Sequence, residues 1–137
     1  MQLIIQSGDL GPSWFHVALR VLVLLSKSHD NLLKSTYLAQ KLGADPTFVR
    51  KILVRLSNGG LVFSHSGRYG GYNMSKPAAD ITVGEVYRTM IKTQTINPFS
   101  VPQTGSEQII SLIISKAETQ FQDTLDTFTI EDLLENS

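Results

Sequence analysis

The sequence predicts a mainly α-helical chain with one small β-hairpin. Three observations predict it. Two short helical stretches, Ser35–Leu42 and Asp45–Asn58, meet at the tight turn Gly43-Ala44-Asp45. A glycine-rich stretch with strand composition, residues 61–75, follows the second helix directly. Residues 106–128 then carry the longest run of helical apolar periodicity in the chain. Helix, turn, helix and hairpin make a winged helix-turn-helix domain, and the long C-terminal helix is expected to serve dimerisation.

Each element has its own signature. Pro12–Ser26 reads as the first helix, with Val17, Val21, Leu24 and Leu25 in one stripe. Ala18, Leu19, Leu22 and Val23 make it apolar nearly all round, so it should be buried on more than one side. Trp14 and Phe15 are expected as core or interface anchors. In Ser35–Leu42, Ser35 is the expected N-cap, and Leu38, Ala39 and Leu42 point inward.

The next helix has two committed faces. Asp45 can cap it and Pro46 suits its first turn. Val49, Ile52, Leu53 and Leu56 form the buried stripe, while Thr47, Arg50, Lys51, Val54 and Arg55 fall opposite. Three of those five are cations with no acid among them. An apolar back and a basic front suit a DNA major groove; a merely solvated basic face is the alternative. Gly59-Gly60 ends the helix. Residues 61–65 and 72–75 are the strands of the wing, and Ser66–Gly71 is its turn. Arg68 at the tip is placed for a minor groove or a phosphate.

Ile81–Lys92 is the next helix, with Thr82 and Glu85 spaced as a capping box. Val83, Val86, Tyr87, Met90 and Ile91 supply its apolar face. Residues 93–105 hold Pro98 and Pro102 and no charge, and read as a loop. In Ser106–Phe128, Ile109, Ile110, Leu112, Ile113 and Ile114 cover more than one helical face, so one face is left wanting a partner. Thr129 and Asp132 begin a last short helix, Ile130–Glu135.

Composition narrows the function. At 137 residues, 42% apolar and 18% charged, the chain can bury one core, with an added arm. It has no cysteine, which excludes disulfides and thiolate-held metals. His16, His29 and His65 are scattered, so no metal site and no cofactor is expected. Residues 17–25 are too short for a membrane span and contain Arg20, and no signal peptide stands out, so a cytoplasmic location is the expectation. No paired carboxylates, nucleophile–base set or phosphate loop argues for an enzyme. Net charge is zero but polarised: residues 46–79 carry five Lys/Arg and no acid, whereas residues 105–137 carry one Lys and seven acids.

Three stretches, LAQKLGADPTFVRKILVRLSNGGLV, GRYGGYNMSKPAADITVGEVY and TIEDLL, resemble the Rrf-two type (IscR/NsrR/CymR-like) of bacterial winged-helix transcription regulators. The likeness runs from about Gly8 onward and is most specific between Leu38 and Tyr87. It implies a dimer made chiefly by the long helix, a wing that reaches the minor groove, and Thr47, Phe48 and Arg50 at the DNA. Many members hold an iron–sulphur cluster through cysteines in the loop before the long helix; residues 93–105 have none, so this is a member without the cluster. In the usual wing, Arg precedes the Gly; here Ser66 precedes Gly67, and Arg68-Tyr69 follow it. Residues 1–7 extend beyond the usual start.

The resulting expectation is a homodimeric DNA-binding regulator, a repressor, reading a palindromic operator. Residues 8–92 form the DNA-binding domain, 93–105 the loop and 106–137 the dimerisation part. Helix 46–58 enters the major groove and wing 61–75 the minor groove. Thr47 and Arg50 read bases; Lys51, Arg55 and His65 serve phosphates; Arg68 and Tyr69 lie at the wing tip. Two alternatives stand beside it. One is a module controlled by a regulatory protein. The other is a sensor of a small-molecule effector, with Trp14, Tyr87 and Phe99 lining a pocket.

Overall fold

A computed structural model describes residues 13–91 and 105–135. The element order is α1 (Trp14–Lys27), α2 (Ser35–Leu42), α3 (Pro46–Asn58), β1 (Val62–His65), β2 (Gly71–Met74), α4 (Val83–Ile91), α5 (Gly105–Leu125) and α6 (Ile130–Glu135). A single 3-10 turn, Ala78–Asp80, precedes α4. The helical architecture with one antiparallel hairpin is as the periodicity predicts. Of the expected loop 93–105, Gly105 instead begins α5, and residues 93–104, with Phe99, lie outside the described residues, as does the extension at residues 1–7.

The core gathers around α1, which is apolar on nearly every side. Val21, Leu22 and Leu25 are fully buried against Leu38 of α2 and against Val49, Ile52, Leu53 and Leu56 of α3. Val86 and Met90 of α4 close the same core, and Ile130 of α6 packs into it beside α1. An aromatic cluster seals the junction with α5. Tyr87 stacks on Trp14 at 6.2 Å and meets Phe121 edge-on at 5.1 Å. Trp14 and Tyr87 are thus spent on packing.

Helix ends show which capping signals were used. Asp45 caps α3 through a bond from the Phe48 N–H to Oδ2 at 3.0 Å, as its position predicts. Thr129 and Asp132 cap each other's backbone N–H at the start of α6, a complete capping box. Two expectations are corrected. Ser35 does not cap α2; it is the first helical residue, and Lys34 stands at the cap position without a side-chain bond to the helix's N–H groups. Glu85 does not complete a box with Thr82. The Glu85 N–H does donate to Thr82 Oγ1 at 3.0 Å, but the Glu85 carboxylate pairs with Lys76 at 2.9 Å instead. A cation nearby outcompetes a backbone N–H for the carboxylate.

The wing pairs Val62 with Met74 through to His65 with Gly71. Leu33 adds a one-residue bridge to Tyr72, which roots the hairpin beside α2. At the hairpin's end, a Cβ on Gly70 would stand 2.0 Å from the His65 carbonyl oxygen, so the turn closes only with glycine there.

Candidate nucleic-acid interface

The outer face of α3 is built by the turn before it. Gly43 adopts φ 62°, a left-handed conformation, and this lets α3 leave α2 sharply. The apolar stripe of α3 then locks onto α1, so its rotation about its own axis is set. Thr47, Arg50, Lys51 and Val54 consequently face solvent, and with Arg55 they line one shallow groove of about 330 Å³. Phe48 is half-buried and packs against the core, so it is not a fully outward group.

Arg55 sits differently from its neighbours. It is half-buried, and its Nη1 donates to the Met90 carbonyl oxygen at 3.2 Å, near the C-terminal end of α4. A guanidinium there suits the negative end of that helix. Lys76, the last cation of the basic segment, is held by Glu85. The exposed cations of residues 46–79 are Arg50, Lys51 and Arg68.

The wing presents a second exposed surface. His65 Nε2 lies 3.0 Å from Asn73 Oδ1 across the hairpin, and Phe63 meets the His65 ring edge-on. At the tip, the Arg68 guanidinium lies over the Tyr69 ring at 5.5 Å, and Tyr69 is 81% exposed. Such stacking holds a guanidinium in one plane while leaving its donors available.

Sequence reasoning missed the contribution of α2. Lys34 Nζ donates to the Arg68 carbonyl oxygen at 3.1 Å and ties the wing tip to the start of α2. Lys41 lies over the exposed Tyr37 ring at 5.9 Å. Lys34 adds a cation beside the wing, and Lys41 adds one at the far end of α2. Their signal, a Lys at each end of a short helix, is too common to single out without the fold.

The model of a family described as Rrf2, iron-dependent transcriptional regulator, matches residues 13–136. YwgB of Bacillus subtilis (strain 168), which carries the name of an HTH-type transcriptional regulator, is 36% identical over 74 residues. That match covers 53% of this chain and 47% of YwgB, so the chain spans about half the length of that relative. A transcriptional-regulator structure from Lactobacillus plantarum is 27% identical with a TM-score of 0.73, covering 90% of this chain and 89% of that one. CymR, the global cysteine regulator of B. subtilis, is 25% identical with a TM-score of 0.67, covering 91% and 95%.

The iron in the family description finds no matching donors here. The chain has no cysteine, and residues 92–104 contain no Cys, His, Asp or Glu. Among the described residues, no three such side chains come together to hold a metal ion. The donor set does not fit a thiolate-held cluster.

Proposed function

We propose, starting from the fact that this chain belongs to the Rrf2 family of transcriptional regulators, that two copies pair through α5 and read a palindromic operator. The fold is a DNA-binding winged helix, and the chain is a regulator and not an enzyme. Each copy lays α3 in a major groove and its wing along the adjacent minor groove. The observation that carries this reading is the outward row Thr47, Arg50, Lys51 and Val54 on a helix whose back is locked into the core.

Thr47 and Arg50, nearest the start of α3, read base edges, with Phe48 supporting them. Lys51 and His65 serve phosphates, with Arg68 and Tyr69 at the minor groove. Arg55 divides its donors between the Met90 carbonyl and the duplex. The protein acts as a repressor by occupying its site, and works in the cytoplasm. No helix among the described residues is long and apolar enough to cross a membrane.

Selection of bound duplexes from random oligonucleotides tests this. The expected product is an inverted repeat with half-sites about 34 Å apart, or a multiple of that. Recovery of unrelated sequences with no repeat overturns it. A reporter placed behind the recovered operator separates repression from activation.

A second reading has its own support. The first half of α5 is apolar on more than one side, and Ile109, Ile110, Leu112, Ile113 and Ile114 are all exposed in the single chain. A second copy covers one side; a regulatory protein or an effector seated on the other would control DNA binding. A dimer whose α5 surface is wholly enclosed argues against it.

A further inference from the structure

Helix α4 is gripped from two sides. Toward the recognition helix, Arg55 Nη1 bonds the Met90 carbonyl at 3.2 Å. Gly59, just past the end of α3, lies so near Thr89 that an added Cβ would stand 2.1 Å from its Cγ2. Toward the long helix, Arg88 donates from Nη1 and Nη2 to the two carboxylate oxygens of Asp126 at 3.1 and 2.9 Å, and from Nη1 to Gln122 Oε1 at 3.1 Å. Thr82 Oγ1 donates to Asp126 Oδ1 at 3.0 Å, and Tyr87 Oη donates to Glu118 Oε1 at 2.8 Å. An added Cβ on Gly84 would stand 1.9 Å from Asp126 Oδ1, so the carboxylate seats directly on the first turn of α4.

This arrangement is over-specified for stability alone. Arg88 and Asp126 are about two-fifths exposed, and ion pairs at that exposure add little to folding. A two-pronged guanidinium–carboxylate pair does, however, impose direction. The same helix therefore holds the DNA-reading element on one side and the long helix on the other through direct side-chain contacts.

We propose that the Arg88–Asp126 pair fixes the angle at which the recognition helix is carried on the long helix, and thereby sets the half-site spacing the regulator accepts. Arg88 and Asp126 are positioning residues; neither needs to touch the duplex. In a two-fold protein the separation of the two reading helices dictates the separation of half-sites. A looser joint between reading helix and dimer axis tolerates several separations. The inference rests on the dimeric reading above.

The test uses the full chain and its selected operator, rebuilt with the half-sites moved apart or together by single base pairs. Arg88→Gln and Asp126→Asn are compared with the unaltered protein by fluorescence anisotropy. The expected result is a roughly tenfold loss of discrimination between the preferred and neighbouring spacings, with affinity for an isolated half-site unchanged. Arg88→Lys, which keeps the charge but not the fork, should fall between. Unchanged spacing preference in all three variants overturns the proposal. So does an equal loss on every site, the isolated half-site included, which marks a general folding defect. The mass of the unaltered protein in solution is measured first: a monomer overturns the dimeric reading and this inference together, whereas a dimer whose variants keep the unaltered spacing preference overturns this inference alone.

Discussion

The outer face of α3 and the first half of α5 are both exposed, for opposite reasons. On α3 the outward groups are Thr47, Arg50 and Lys51, which water solvates well, and a single large apolar residue, Val54. On α5 the outward groups are five adjacent large aliphatics between Ile109 and Ile114, each more than half exposed. Sequestering one such side chain is favourable by about 1.5–3 kcal/mol, so five together represent on the order of 10 kcal/mol before association costs. Exposure on α3 is thus stable in an isolated chain and exposure on α5 is not. The first surface suits an anionic duplex, and the second suits an apolar partner.

Substitutions can break or sharpen that contrast. The largest effect is expected from Ile113→Asp, which places a charge in the apolar stretch. It should convert dimer to monomer by light scattering and lower operator affinity at least about a hundredfold, since each half then binds alone. A dimer that survives this change places the paired surface elsewhere. Next comes Arg50→Ala, expected to leave the dimer intact while costing about 1–3 kcal/mol on the operator. Competition with mutated operators should show the loss concentrated at one base position; an even loss across sequences makes Arg50 a phosphate contact instead.

The smallest effect concerns the seam between the two regions. Burial first, then the bond to Glu118 and its charge, push the Tyr87 hydroxyl well above the ordinary phenol range of 10.0. In the unfolded chain this group loses its proton near its ordinary value, and in the folded chain it does not. Stability is therefore fully present below about pH 10 and declines as pH rises beyond it. Tyr87→Phe should flatten that alkaline decline in thermal melts, at a cost of about 1 kcal/mol near neutrality for the lost hydrogen bond. An identical alkaline limb in both proteins assigns the decline to other groups.

Much of this was legible in the chain because it depends on neighbours in sequence. The stripe Val49, Ile52, Leu53 and Leu56, the Asp45 cap and the glycines of the wing each act within a few residues. The Thr129–Asp132 box is equally local. What escaped notice joins residues far apart. Arg55 reads as one more cation on a basic face, and only the packing of α3 on α4 brings Met90's carbonyl within its reach. Thr82 reads as a cap, and it is one, yet its hydroxyl also meets Asp126, just past the end of α5. Glu85 has the spacing of a capping partner and is diverted by Lys76. Local periodicity names the elements; it does not say which polar tips meet across them.

Helix α6 carries one last consequence. Ile130 is completely buried beside α1, and Thr129 bridges to Thr82. The residues that complete the core of the winged-helix half thus leave the ribosome only after all of α5 has been made. A nascent chain cannot mature its head before its stalk exists. Shortened versions that stop ahead of residue 129 should consequently be prone to degradation instead of behaving as miniature regulators.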